Sequence, residues 1–293
     1  MMKKKLFFFF FLLFLISMAQ AVTVTLTTAS SLVTGHYSFA MDPITGKFYG
    51  SSNHTNHSVV NVYNNASAFA SNTISSSLNL SSLYYNTYAV AYNGKLYARA
   101  STSDVSVGKW DLTTGTREAT KLPFTNMSTD VFNWGGYSTV NWFYDGSSMY
   151  VLGKNTSGTS WQLNRMDTDL NVLETKSFTA GTLGYAIMLN GKMFTSTSYN
   201  SNTIDKVFDF ATGTYTSVSY SLSGSSGAYW GDTFFDSTTD TIYMNSVDAS
   251  RVYKINNAST VFSAPAPPSS VPEPGTWIAL LIGLCVLIIA KKS

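Results

Sequence analysis

Cysteine is all but missing from this sequence. The single one, Cys285, sits in an apolar run near the C-terminus, so the long central body can hold no disulfide, no zinc–thiolate site and no thiol nucleophile. Charge is scarce too: Asp, Glu, Lys and Arg make up 12% of the 293 residues, against 44% hydrophobic. That balance excludes a disordered polyelectrolyte. Residues 22–264 carry 13 basic and 15 acidic side chains, which gives nucleic acid nothing to bind. Also absent are a Gly-x-Ser-x-Gly elbow, a P-loop, a dinucleotide fingerprint and a His-Glu-x-x-His pair, so no cofactor and no metal is expected. The body shows no sustained helical periodicity either.

What is present begins with the two ends. Lys3, Lys4 and Lys5 precede an eleven-residue apolar stretch, Leu6 to Ile16, and then Ala19-Gln20-Ala21. This order is that of a secretory signal helix cut by signal peptidase after Ala21, with Ala19 and Ala21 as the small residues of the cleavage site. The stretch is short for a membrane span. At the other end, five of the seven prolines fall between Pro265 and Pro274, an extended spacer over residues 265–275 that cannot form a core. Residues 276–293 follow as an apolar run, Thr276 to Ala290, and a terminal Lys291-Lys292-Ser293. They read as a short transmembrane helix with a basic inner end, which puts the body outside.

The segment Val271-Pro272-Glu273-Pro274-Gly275-Thr276-Trp277, followed by that run and basic tail, resembles the PEP-CTERM sorting domain. The resemblance covers residues 271–293. It implies that Pro272, Glu273 and Pro274 are the recognition motif of an exosortase that removes the tail. It further implies a Gram-negative bacterium that makes exopolysaccharide, with the protein exported to the periplasm, cell surface or matrix and held by the membrane until processed. Exopolysaccharide and envelope proteins are then the expected partners.

Between the ends, a repeat dominates. Apolar or aromatic pairs recur at Phe48-Tyr49, Leu96-Tyr97, Met149-Tyr150, Met193-Phe194 and Ile242-Tyr243, at spacings of 48, 53, 44 and 49 residues. A turn precedes each pair: Asp42 to Gly46, Asn93-Gly94, Asp145-Gly146, Asn190-Gly191 and Asp236 to Asp240. A second alternating segment follows each pair, and most of these close in a second turn, among them Asp111 to Gly115, Asp167 to Asp169 and Asp209 to Gly213. Two hairpins per repeat make four strands, and four strands every ~45 residues make a propeller blade. The expected fold for residues 22–264 is therefore an all-β propeller of about five four-stranded blades. A sandwich or a β-helix could use the same turns, but the repeat argues against the first and its length against the second. Val22 to Leu26 alternates strictly and is expected to supply the outer strand of the last blade, since an open ring leaves two unpaired edges. The turn-Gly-Lys-apolar-aromatic pattern resembles propellers of the NHL, Kelch and YVTN-like kind.

In such a fold both hairpin turns of a blade share one face, and the longer Ser/Thr/Asn-rich loops share the other, where binding is expected. Aromatic residues in the connections between blades, Tyr84-Tyr85, Trp134 with Tyr137, and Tyr229-Trp230, could stack on sugar rings; equally they could be wedges that pack blade on blade. Tyr85, Trp134, Tyr137 and Trp230 are the ligand candidates of this group. Asp42, Asp111, Asp167 and Asp209 all open turns, where a carboxylate caps its own backbone. Asp104 and Asp248 are in the other loop class and could meet near the axis as a carboxylate pair. His54 and His57 lack a third ligand nearby, and His36 is isolated. These observations lead to a noncatalytic binding or scaffold module, with a polysaccharide hydrolase or lyase and an inert structural protein as alternatives.

Overall fold

Turn chemistry and β-branched or aromatic runs alternate through the body, and in a computed structural model of the chain they become turns and strands in that order. The structure describes residues 21–31, 39–51, 58–81, 83, 89–100, 105–124, 140–155, 159–198, 200–225, 230–246 and 251–263. The chain starts with β1 (Val22–Thr25) and β2 (Thr27–Ser31). Blade 1 then holds β3 (Phe39–Met41), β4 (Phe48–Ser51), β5 (Val59–Tyr63) and β6 (Ser76–Asn79). Blade 2 holds β7 (Val90–Tyr92), β8 (Lys95–Arg99), β9 (Val107–Asp111) and β10 (Arg117–Lys121). In blade 3 come β11 (Asn141–Tyr144), β12 (Met149–Lys154), β13 (Ser160–Met166) and β14 (Val172–Thr179). Blade 4 is β15 (Tyr185–Leu189), β16 (Lys192–Ser196), β17 (Thr203–Asp209) and β18 (Thr214–Ser223). Blade 5 has β19 (Trp230–Asp236), β20 (Thr241–Ser246) and β21 (Arg251–Asn256).

Within each blade these consecutive strands form an antiparallel meander in chain order, and the first strands β3, β7, β11, β15 and β19 contact one another around the axis. This is a five-bladed propeller with four-stranded blades. The five repeated apolar pairs all fall in second strands, as their spacing predicts. A burial gradient explains the strand compositions. The first strands are covered on both faces, so β15 reads Tyr-Ala-Ile-Met-Leu without a polar break. The outer strands face solvent, and β10 reads Arg-Glu-Ala-Thr-Lys. The core lies in the seams between blades. One apolar cluster joins blades 1 and 2, a second joins blades 3 and 4, and a third joins blades 4 and 5. A fourth runs through the 2–3 and 5–1 seams. Trp110, Trp142 and Trp161 are fully buried in them, each contributing roughly 1.5–3 kcal/mol or more of transfer free energy.

Ring closure differs from the expectation. Val22–Thr25 does not complete the last blade: β1 pairs in parallel with β18, from Val22 opposite Tyr220 to Thr25 opposite Ser223, as a fifth strand of blade 4. The next segment, β2, pairs antiparallel with β21 and closes blade 5. Alternation alone could not distinguish them, because it sets which face is buried and not which edge is met. Val24 and Leu26 are the buried positions that seat the crossing, and the Leu26 N–H donates to the Ser223 carbonyl at 2.7 Å.

Two of the turns that follow third strands turn out to be short helices, α1 (Ala66–Ala70) after β5 and α2 (Ala258–Ser263) after β21. Both grow from the same tetrapeptide, Asn64-Asn65-Ala66-Ser67 and Asn256-Asn257-Ala258-Ser259. Asn65 caps α1 by accepting from the Ala68 N–H at 2.8 Å. Each helix then buries one phenylalanine: Phe69 lies against Phe39, Phe48 and Tyr63, and Phe262 against Phe194 and Tyr220.

Candidate functional site

The turn face is tied together by carboxylates. Asp42 accepts from the N–H groups of Ile44 and Thr45 in its own turn, and from Asn93 (3.0 Å) and Gly94 (2.7 Å) in the first turn of blade 2. Asp145 repeats the pattern at the seam between blades 3 and 4. Its Oδ1 accepts from Ser147 and Ser148, and its Oδ2 from the Tyr150 hydroxyl and from Gly191 N–H of blade 4 at 2.8 Å. The receiving turns are Asn-Gly pairs with positive φ at both positions, 51° and 73° at Asn93-Gly94 and 48° and 73° at Asn190-Gly191. That geometry directs their N–H groups toward the neighbouring acid. Asp236 caps its own turn through Thr238 and Thr239.

The second turns use the same acid chemistry at the surface. Asp111 accepts from Thr113 and Thr114, and Lys95 Nζ is 2.6 Å away. The lysine first, then those two N–H groups, hold its carboxyl well below the usual range. Asp167 accepts from Asp169 N–H and from both Asn171 nitrogens. Burial pushes it up, but these donors outweigh burial and keep it low. Asp209 caps Ala211 and Thr212. The sequence reading of Asp42, Asp111, Asp167 and Asp209 as turn formers therefore holds.

Among the aromatic ligand candidates, Trp230 lies within the described residues. It is 4% exposed, with its ring centroid 6.2 Å from that of Tyr185 and 5.8 Å from that of Tyr253, and Nε1 donating to Asn202 Oδ1 at 3.2 Å. It is a wedge in the 4–5 seam and offers no open ring face to a sugar. Tyr84, Tyr85, Trp134, Tyr137, Tyr229, Asp104, Asp248, His36, His54 and His57 lie outside the described residues, as do Ala19 and the Pro272-Glu273-Pro274 motif. Ala21 immediately precedes β1.

Toward the axis, no three His, Cys, Asp or Glu side chains come together among the described residues. Asp232 on β19 accepts from the Phe39 N–H of blade 1 at 2.9 Å and is spent on closing the 5–1 seam. Asn141 is different. It starts β11 at the loop-face end, is fully buried, and neither its Oδ1 nor its Nδ2 has a hydrogen-bond partner among the described residues. An amide in that state has unspent capacity for a small polar guest such as water.

Among the described residues, two cavities open on the turn face. One, about 190 Å³, lies where α2 docks on blade 4, between Asn190, Lys192, Phe194 and Phe262. The larger, about 270 Å³, lies in the seam between blades 2 and 3. Its floor is buried Tyr144, Met149 and Met166, and its walls are half-buried Tyr92 and exposed Leu173. Ser147, Asp167 and Thr168 form a polar rim. Blade 2 holds this rim in place: the Tyr97 hydroxyl (3.3 Å) and Lys109 Nζ (3.0 Å) both donate to the Thr168 carbonyl.

A five-bladed ring with these seams can be assigned by its sequence. The olfactomedin-like domain family matches residues 20–257, nearly the whole of the ring. The chain belongs to the olfactomedin-like domain family. The NHL, Kelch and YVTN-like likeness seen in the turns is thus one of architecture, shared by an olfactomedin-like propeller. No curated protein matches the chain. Among solved structures, the glutaminyl cyclase of Myxococcus xanthus superposes with a TM-score of 0.50 at 13% identity, covering 81% of this chain and 98% of that one. The hydrazine synthase of Kuenenia stuttgartiensis reaches 0.44 at 11% identity, covering 82% of each chain. At such identities the likeness concerns the fold alone.

Within this olfactomedin-like ring, the sequence reading missed the seam cleft. Tyr92 and Tyr144 each stand beside a first-hairpin turn, at Asn93-Gly94 and Asp145-Gly146. That shared position was the available signal, but only the packing of blade 2 on blade 3 brings the rings to 5.6 Å.

Proposed function

We propose that this olfactomedin-like propeller is a noncatalytic binding or scaffold module, exported through the signal segment 1–21 and sorted by an exosortase acting at Pro272-Glu273-Pro274. On this reading it resides at the cell surface or in the matrix of a Gram-negative bacterium and engages exopolysaccharide. The observation that carries the reading is the employment of the aspartates: those that organise the turn face are saturated by backbone and hydroxyl donors. Acid–base catalysis needs two groups with opposed protonation tendencies left free for substrate. Rings and hydroxyls, the groups of a recognition surface, are what the seam cleft offers instead.

The test uses the full-length protein in its native host, beside a Pro272/Glu273/Pro274→Ala variant. Intact mass and fractionation are expected to show motif-dependent loss of the tail, and the released protein is expected to co-purify with matrix polysaccharide. Depolymerised polysaccharide in its presence would favour the hydrolase or lyase. An unprocessed tail in both proteins would remove the sorting step.

A further inference from the structure

We propose that the cleft between blades 2 and 3 binds a single neutral pyranose ring of a glycan, stacked against Tyr92; the proposal rests on the polysaccharide-binding reading and assigns it a site. The dimensions suit one ring and no more. At about 270 Å³ the cleft falls just below the range for small-molecule sites, roughly 300–1,000 Å³. An oligosaccharide would therefore place one unit in it and leave the rest in solvent.

The chemistry of the lining is amphipathic in the way a pyranose is. Tyr144, Met149 and Met166 make a dry floor, while the Tyr92 ring is tilted by 41° to that of Tyr144 and stays partly open. A sugar presents axial C–H groups on one face and hydroxyls around its edge, so it can cover an aromatic wall while its edge meets a polar rim. The hydroxyls of Tyr92 and Thr168 have no hydrogen-bond partner among the described residues and are free for that edge. Thr168 is also well placed to stay put, since its carbonyl is clamped from blade 2.

Charge decides which sugars fit. None of the lining residues is basic, and the nearby cations are committed: Lys109 to Thr168 and Asp169, and Lys121 to Asn171. The one charge on the rim is Asp167, which its turn donors keep ionised. A carboxylate accepts from sugar hydroxyls but repels a uronate or phosphate at contact distance. Neutral sugars are favoured.

The experiment is ligand-observed NMR on the full-length protein with the methyl glycosides of glucose, galactose and mannose, and with glucuronate. It is run beside binding of the purified matrix polysaccharide. At least one neutral glycoside is expected to bind, with glucuronate weaker. Tyr92→Ala is expected to weaken binding at least about fivefold, the equivalent of one lost aromatic contact. Thr168→Val, an exposed and nearly isosteric change that spares the fold, is expected to weaken it by a smaller factor. If folded Tyr92→Ala and Thr168→Val both bind the polysaccharide like the unaltered chain, the cleft is not the site although the binding reading stands. Glucuronate binding equal to that of the neutral glycosides overturns the charge argument. Failure of the unaltered chain to bind any polysaccharide overturns both the site and the reading beneath it.

Discussion

Asp145 spends one carboxylate on two blades. Within its turn it satisfies Ser147 and Ser148, and across the seam it takes the Gly191 N–H, while its own carbonyl takes the Asn190 N–H at 3.2 Å. From sequence the residue was legible as a turn former, because Asp-Gly is turn chemistry in itself. The second set of donors was not legible, since it arrives from 46 residues away. At 2% exposure, water cannot replace the lost acceptor. Asp145→Ala is therefore expected to destabilise the protein by about 3 kcal/mol, the cost of stranding buried N–H groups. That corresponds to a fall of roughly 6–12 °C in thermal midpoint for a domain of this size. Asp145→Asn keeps the volume but turns an N–H₂ toward donors, and is expected to recover only part of the loss. A calorimetric scan checks both, and an unchanged midpoint for Asp145→Ala would show that the seam does not depend on this acid.

At the scale of elements, the N-terminal pair β1 and β2 bridges blades 4 and 5, and its crossing point is set by one glycine. Gly224, just past β18, has φ +91°, and a Cβ there would stand 2.7 Å from the Leu26 carbonyl oxygen. Both the backbone conformation and the close approach require the missing side chain. Gly224→Ala is expected to cost about 1–3 kcal/mol and to lower the thermal midpoint by several degrees. Gly181→Ala, where an added Cβ meets nothing within 4 Å and φ is not positive, is expected to leave it unchanged. Equal midpoints for the two variants would show that the crossing strand yields freely. The strands themselves were readable because alternation and turn residues are local. Their partners at the ring junction were not, and neither were α1 and α2: an Asn-Asn pair permits a tight turn or a helix cap, and the choice falls to whether Phe69 or Phe262 finds a seam to enter.

The whole molecule carries an alkaline limit in its seams. Nine tyrosines distributed over blades 1 to 5 have hydroxyls pushed up from the ordinary value near 10, in each case chiefly by burial. Tyr49, also facing the Asp42 charge, and Tyr215 are each raised to about 12. A group whose value is raised on folding lends stability that is complete below its unfolded value and is lost as pH rises through the folded one. The tyrosine contribution is therefore expected to hold to about pH 10 and to be lost progressively above it, with the share of Tyr49 and Tyr215 gone beyond about pH 12 and that of the more strongly raised Tyr97, Tyr150 and Tyr185 lost last. Tyrosinate absorbance should appear together with loss of the β-sheet signal. The sequence holds 18 tyrosines, and ionisation of these nine near pH 10 with the fold intact would mean that the seams admit water. As every seam contributes, no single substitution is expected to remove this limit.

The amino-acid sequence by itself determined the blades: strand alternation, Asn-Gly and Asp-led turns and a repeat of about 48 residues are local signals that need no partner to be read. It also determined that the turn aspartates cap N–H groups two to four residues away, though not the donors that Asp42 and Asp145 take from the next blade. Only the tertiary structure decided which edge each N-terminal strand meets, that Trp230 is sealed in a seam, and that Tyr92 and Tyr144 converge on one cleft. Those outcomes depend on how one blade rotates against the next, and that angle is set by the packing of large side chains far apart in sequence, a quantity no local pattern contains.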